Sequence, residues 1–139
     1  MTEAAASEPS PATSALIDRL FAAINARDVD ALAQISTPDF EWRDPDGLPG
    51  GGLHRGAEAI IARVRELDES FEELRFAAKE TLEAGERVLV TTLCSGRGRE
   101  SGVPTAIEFF GIYRISGGRF AAMTACFDRV DAEEAFRAG

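Results

Sequence analysis

The chain has 139 residues, of which 45% are hydrophobic and 28% charged, a composition typical of one globular domain. Its 24 acidic and 15 basic residues give a formal net charge of −9, which argues against nucleic acid or an anionic membrane as a partner, because phosphate groups are bound by clustered Lys and Arg. No stretch approaches the roughly 20 apolar residues of a membrane span, and two cysteines are too few for a disulfide framework. We therefore expect a cytoplasmic protein.

The N-terminal segment, residues 1–13, is rich in Ala, Ser, Pro and Glu and lacks the basic and apolar regions of a signal peptide. This composition predicts a disordered leader in front of a domain over residues 14–139. Ser14 can cap a first helix, because apolar residues then recur every three or four positions from Leu16 to Ile24.

A second helix, a strand, a loop and a third helix follow. Asp28 can cap the short second helix, which Pro38 is expected to end. Residues 40–44 alternate between apolar and polar, as a strand does. The loop over residues 45–53 contains four glycines and two prolines and is expected to be irregular, either a flap over a pocket or an idle surface loop. Helical spacing returns over residues 56–67.

From Leu74 onward the apolar period changes to two and predicts four antiparallel strands. The segments "EAGER" and "SGGR" supply hairpin turns, "GRGRESGVP" is a longer connection, and "DAEEAF" is a final short helix. Helices followed by a meander indicate an α+β domain. Both residue parities are apolar in "VLVTTLC" and "IEFFGIY", so we expect both sheet faces to be covered. The helices can cover only one of these faces. We expect the other face to be covered by a second copy of the chain, in a homodimer that forms through the sheet, unless apolar residues are merely tolerated there.

Four segments, "FAAINARDVDALAQISTPDFEWRDPDG", "HRGAEAI", "GIYRISGGRF" and "FDRV", resemble the nuclear transport factor 2-like superfamily, and within it the SnoaL-like branch. The resemblance spans residues 14–136. It implies a cone made of a curved, mostly antiparallel sheet with the N-terminal helices packed over its concave face. The same cone hosts isomerases, polyketide cyclases, epoxide hydrolases, dehydratases and proteins with no known chemistry, so the fold alone implies no reaction.

The resemblance also assigns the positions that carry known chemistry. Steroid isomerases of the superfamily place their proton-shuttling aspartate in an Asp-Pro pair after the first strand, which Asp44 and Pro45 match. Their two oxyanion donors correspond to Leu20 and Gly111, so both donors are missing here. The catalytic histidine and aspartate of the SnoaL-type cyclases correspond to Gly111 and Ala125. The chain is therefore expected to be neither of these enzymes.

Limonene-type epoxide hydrolases use an arginine and two aspartates, whose positions correspond to Thr92, Cys94 and Ala125, so this site is missing as well. Small residues at these inward positions predict empty space on the concave face. We expect a mostly apolar pocket for a hydrophobic small molecule, unless core side chains fill the gap. The predicted pocket residues are Trp42, Thr92, Cys94, Phe109, Gly111, Met123, Ala125 and Phe127.

Three residues are candidates for catalysis. Asp44 is the candidate base, and its alternative role is to cap the turn that follows it. His54, the single histidine, could flank the pocket mouth and pair with Asp44, or be exposed. Tyr113 could offer its hydroxyl to a ligand oxygen or belong to the core. One histidine and two cysteines without ligand spacing predict no metal and no cofactor, and the opposite parity of Cys94 and Cys126 predicts free thiols.

Two functions follow from these observations. The first is cofactor-independent proton transfer on a hydrophobic carbonyl compound, an isomerisation, cyclisation or dehydration with Asp44 as the base. The second is a non-catalytic module that binds a hydrophobic ligand or only dimerises. The sequence does not decide between them.

Overall fold

The computed structural model describes residues 6–138, so residues 1–5 of the predicted leader and Gly139 lie outside the described residues. The predicted α+β class and the four-stranded meander are confirmed. None of the described helices is both long and apolar enough to cross a membrane. The elements in chain order are α1 (Pro11–Ala26), α2 (Val29–Gln34), β1 (Ser36–Arg43), β2 (Leu53–Arg55), α3 (Ala57–Asp68), β3 (Phe71–Ala84), β4 (Arg87–Gly98), β5 (Pro104–Ser116), β6 (Arg119–Cys126) and α4 (Arg129–Ala138).

The predicted start of the first helix is wrong. The N-cap of α1 is Ser10, whose hydroxyl accepts a hydrogen bond from the backbone N–H of Thr13 at 3.2 Å, and Ser14 lies inside the helix. A proline follows the cap at the first helical position, where its missing N–H costs nothing. Before the helix, Ser7 exchanges two backbone hydrogen bonds of 2.9 and 2.8 Å with Glu83 at the edge of the sheet. This part of the predicted leader is therefore attached to the domain.

The second helix begins as predicted, because the Asp28 carboxylate accepts a hydrogen bond from the Ala31 N–H at 3.0 Å. It ends at Gln34, however, and Pro38 lies inside β1 instead of ending the helix. The register of β1 against β6 shifts between Ser36 and Glu41. Pro38 lies in this interval, where it has no paired residue on β6 and its missing N–H breaks no hydrogen bond between the strands.

The six strands form one open, mixed sheet in the order β2-β1-β6-β5-β4-β3. The neighbouring pairs are antiparallel except for β1 and β6, which run parallel with Trp42 opposite Met123. The sequence did not predict the short strand β2, which pairs with β1 and sets His54 opposite Trp42. The first long strand of the chain thus lies beside the last one, in the middle of the sheet.

A separate hydrophobic core lies on each face of the sheet. Helices α1, α2 and α3 cover the face that carries Val88 and Val90 of β4. Residues of opposite parity, such as Leu89 and Phe110, pack against Phe136 of α4 on the other face. The last helix of this chain therefore covers part of the face that the sequence assigned to a second copy, and the homodimer stays a prediction.

Side chains of α1 fix the position of the helices over the sheet. The Asn25 amide nitrogen donates to the Phe76 carbonyl at 2.9 Å, and its oxygen accepts from the Phe76 N–H at 2.8 Å, at the outer edge of β3. The Arg27 guanidinium forms a two-pronged ion pair with Asp68 at the end of α3, at 3.0 and 2.6 Å. Helices α1 and α3 and strand β3 are thereby joined at one corner.

Candidate functional site

Asp44 lies directly after β1, and its side chain is 8% exposed. Its Oδ1 accepts a hydrogen bond from Trp42 Nε1 at 3.2 Å. Its Oδ2 lies 2.9 Å from His54 Nε2 and accepts a second hydrogen bond from Arg63 Nε, also at 2.9 Å. The carboxylate therefore binds three side chains, whereas the alternative role had it capping the backbone of the turn.

Arg63 is the residue of the candidate site that was not predicted from the sequence. Arg63 lies on α3, and its guanidinium forms an ion pair with Asp44. The pair is buried, because only 5% of Arg63 is exposed. A signal existed in the sequence: Arg63 follows Ile60 by three residues and precedes Leu67 by four, which places it at the edge of the apolar stripe. A charge at such a position needs a partner, because an unpaired buried charge is costly.

The glycine-rich loop between β1 and β2 packs on this ion pair. Arg63 Nη2 donates to the Pro49 carbonyl at 3.2 Å. A Cβ atom at Gly50 would lie 3.1 Å from Arg63 Nη1, and one at Gly51 would lie 2.8 Å from the Leu48 carbonyl oxygen. The loop backbone can approach the site this closely only because these residues have no side chain.

A cavity of about 110 Å³ lies between α3, this loop and the sheet. Asp44 and Arg63 are its only charged lining residues within the described part of the chain, and they form an ion pair with each other. Ile107 lines the cavity and is 44% exposed, so the cavity reaches the surface at β5. The remaining lining residues are Trp42, Pro45, Leu48, Val64, Leu67, Phe71, Leu74, Phe76, Cys94, Gly96, Thr105, Phe109 and Ala125.

The structure divides the predicted pocket residues into three groups. Trp42, Cys94, Phe109 and Ala125 line the cavity. Thr92, Gly111 and Met123 are buried in the sheet and do not line the cavity. The ring of Tyr113 occupies the space beside Gly111. A Cβ atom at Gly111 would lie 2.9 Å from Tyr113 Cε1. Phe127 follows the end of β6 and is 47% exposed. A core side chain thus fills part of the space that the small residues were expected to leave.

Two further candidate residues, His54 and Tyr113, do not line the cavity. Tyr113 is buried outside the cavity and packs against Phe120, and burial raises the pKa of its hydroxyl. His54 reaches Asp44 from β2 and is not among the lining residues. Cys94 lines the cavity, and burial raises the pKa of its thiol to about 11. Cys94 and Cys126 are both free and belong to the cores on opposite faces of the sheet.

The described residues contain no cluster of three or more His, Cys, Asp or Glu side chains arranged to hold a metal ion. What the arrangement offers chemically is a mostly apolar cavity with a buried carboxylate–guanidinium pair in its lining. A ligand in this cavity would meet mainly aromatic and aliphatic surface and a few polar atoms.

Comparison with known proteins agrees with this architecture. The model of the SnoaL-like domain matches residues 17–123. An NTF2-like protein of unknown function from Burkholderia pseudomallei is 23% identical, over 94% of this chain and 100% of that chain, with a TM-score of 0.74. TerC, co-crystallised with polyporic acid, is 25% identical over 91% and 98% of the two chains, with a TM-score of 0.73.

A third similar structure is a protein with a ketosteroid isomerase-like fold from Catenulispora acidiphila, in complex with trimethylamine. It is 17% identical over 95% of each chain, with a TM-score of 0.70. A comparison with curated proteins gave no match. These likenesses confirm the expected fold.

Proposed function

Because the chain belongs to the SnoaL-like domain family, whose fold serves many chemistries, we propose its function from the site itself: it binds a small, mostly apolar molecule in the cavity beside Asp44 and Arg63. One observation carries this proposal. The cavity is lined mostly by apolar side chains, and its charged lining residues are the two members of the buried ion pair. Ligand pockets characteristically combine an apolar lining with a few polar groups that orient the ligand.

The size of the cavity limits the part of the ligand that it can enclose. Its volume is about 110 Å³, and an engineered apolar cavity of about 150 Å³ is known to bind benzene. Trp42, Phe71, Phe76 and Phe109 supply ring surfaces around it, which favours a flat, ring-containing ligand. TerC was co-crystallised with polyporic acid, and this supports small-molecule binding by the present chain.

Proton transfer is the second candidate function, and the contact between Asp44 and His54 favours it. The carboxylate faces the cavity, while His54 holds Oδ2 from outside at 2.9 Å. Arg63 and His54 both contact Oδ2, and Trp42 donates to Oδ1, so one lone pair of Oδ1 stays free to take a proton. The reaction would be isomerisation, cyclisation or dehydration of a hydrophobic carbonyl compound, with Asp44 as the base.

Binding is tested by a thermal-shift screen with neutral aromatic compounds and enones. Ala125→Leu places a larger side chain in the cavity. Ala122→Leu makes the same change on the same strand, where Ala122 pairs with Glu41 and Arg114 on the opposite face. We expect a ligand to raise the melting temperature of the wild type and of Ala122→Leu but not of Ala125→Leu. Equal shifts in both variants, or no shift with any compound, would contradict the proposal.

Catalysis is tested on any compound that binds, by following its conversion with NMR spectroscopy. Asp44→Asn keeps the size of the side chain and removes its ability to take a proton at neutral pH. Conversion by the wild type and its loss in a variant that still binds the compound would support Asp44 as the base. Conversion at the same rate by Asp44→Asn would reject that role and leave binding as the function.

A further inference from the structure

We infer that the cavity selects uncharged ligands and rejects both anions and cations of the same shape. This inference rests on the proposed binding function and names the class of ligand. Its basis is the way in which the two charges of the cavity are already used.

Within the described part of the chain, the charged lining residues of the cavity are one acid and one base, and they neutralise each other. Arg63 Nε lies 2.9 Å from Asp44 Oδ2, and the two side chains are 5% and 8% exposed. Cys94, the titratable thiol of the lining, has a pKa of about 11 and stays neutral at pH 7. A charged ligand would therefore lose its hydration on entry and find no free counter-charge.

The hydrogen-bonding capacity of the pair also suits a neutral group. The three nitrogens of Arg63 each have a partner: Nε binds Asp44, Nη1 binds Glu66 and Nη2 binds the Pro49 carbonyl. The paired N–H groups with which an arginine binds a carboxylate in a bidentate manner are thus already engaged. Single N–H groups on Arg63 and one lone pair on Asp44 Oδ1 remain, which an amide, hydroxyl or carbonyl can satisfy.

Benzamide, benzoate and benzamidine provide the test, because they share one planar shape and carry charges of zero, minus one and plus one. Their affinities for the wild-type chain at pH 7 are measured by isothermal titration calorimetry. We expect benzamide to bind at least about tenfold more tightly than either ion. Equal or tighter binding of benzoate or benzamidine would overturn the inference and leave the proposed function standing. Absence of binding by all three would count against both.

Two variants show whether the ion pair causes this selectivity. Asp44→Asn leaves the Arg63 cation without its buried counter-charge and with only the exposed Glu66 beside it. The affinity for benzoate relative to that for benzamide should therefore rise by a factor on the order of ten or more. Glu66→Gln is the matched control, because Glu66 also contacts Arg63 but is 57% exposed and does not line the cavity. It should keep the wild-type ranking. The wild-type ranking in Asp44→Asn would overturn the inference, and if that variant fails to fold, the wild-type comparison decides alone.

Discussion

The contribution of the Asp44–Arg63 ion pair to the free energy of unfolding can be measured by removing the Asp44 carboxylate. In Asp44→Ala the Arg63 guanidinium stays on α3, 5% exposed and without its buried counter-charge, and Trp42 Nε1 loses its acceptor. Removing one partner of a buried ion pair costs about 3–5 kcal/mol, because the other charge is left uncompensated. In a domain of this size, such a loss lowers the melting temperature by on the order of 10–20 °C.

The free energy of unfolding is measured by urea denaturation followed by circular dichroism. Glu66→Ala removes an acid that contacts the same guanidinium from solvent, where its side chain is 57% exposed, so its cost should stay within about 1 kcal/mol. The double variant Asp44→Ala/Arg63→Met removes the stranded charge and should recover part of the loss. If Asp44→Ala cost no more than Glu66→Ala, Arg63 would not depend on Asp44 and our account of the site would be refuted.

Three further predictions concern the helix cap, the loop and the buried thiol. Ser10→Ala should lower the free energy of unfolding by about 1 kcal/mol, because Ser10 is the N-cap of α1. Ser14→Ala, inside the helix, should change this free energy little. Urea denaturation of both variants decides which serine is the cap. Gly51→Ala should lower the free energy of unfolding by about 1–3 kcal/mol, because its Cβ would lie 2.8 Å from the Leu48 carbonyl oxygen. An unchanged free energy of unfolding would contradict the close packing of the loop. Burial raises the pKa of Cys94 from 9.0 to about 11, so its contribution to stability is complete below pH 9 and is lost as the thiolate forms towards pH 11. Urea denaturation across that interval should show a smaller decline for Cys94→Ala, and an unchanged decline would contradict the assignment.

Most of the fold could be predicted from the sequence, because periodicity and turn residues are local properties. The cap at Asp28 and the four strands after α3 follow from such signals. The attachment of the N-terminal segment could not be predicted, because it depends on Glu83: its backbone pairs with Ser7 and its carboxylate binds the Thr13 hydroxyl at 2.7 Å. Composition describes a segment in isolation and contains no information on partners about seventy residues away.

The candidate site was predicted only in part. Asp44 was found because an Asp-Pro pair after a strand resembles a known catalytic position. Arg63 was missed because the apolar stripe of α3 explains the helix without it, although its place at the edge of the stripe indicated a buried charge. Strand parity correctly placed Tyr113 and Gly111 on one face of the sheet. Parity does not give the direction in which a side chain leans along that face. The sequence therefore did not predict that the ring of Tyr113 fills the space beside Gly111.

The parallel pairing of β1 with β6 has a consequence for the order in which the molecule is assembled. Trp42 stands opposite Met123, a partner about eighty residues further along the chain, and contacts of this range form slowly because a long loop must close first. During synthesis, α1 and α2 can form early, but one wall of the cavity does not exist until Ala125 has been made. The cavity should thus be among the last parts of the domain to be completed, and a nascent chain halted before β6 would leave the apolar residues of the other cavity walls exposed to solvent.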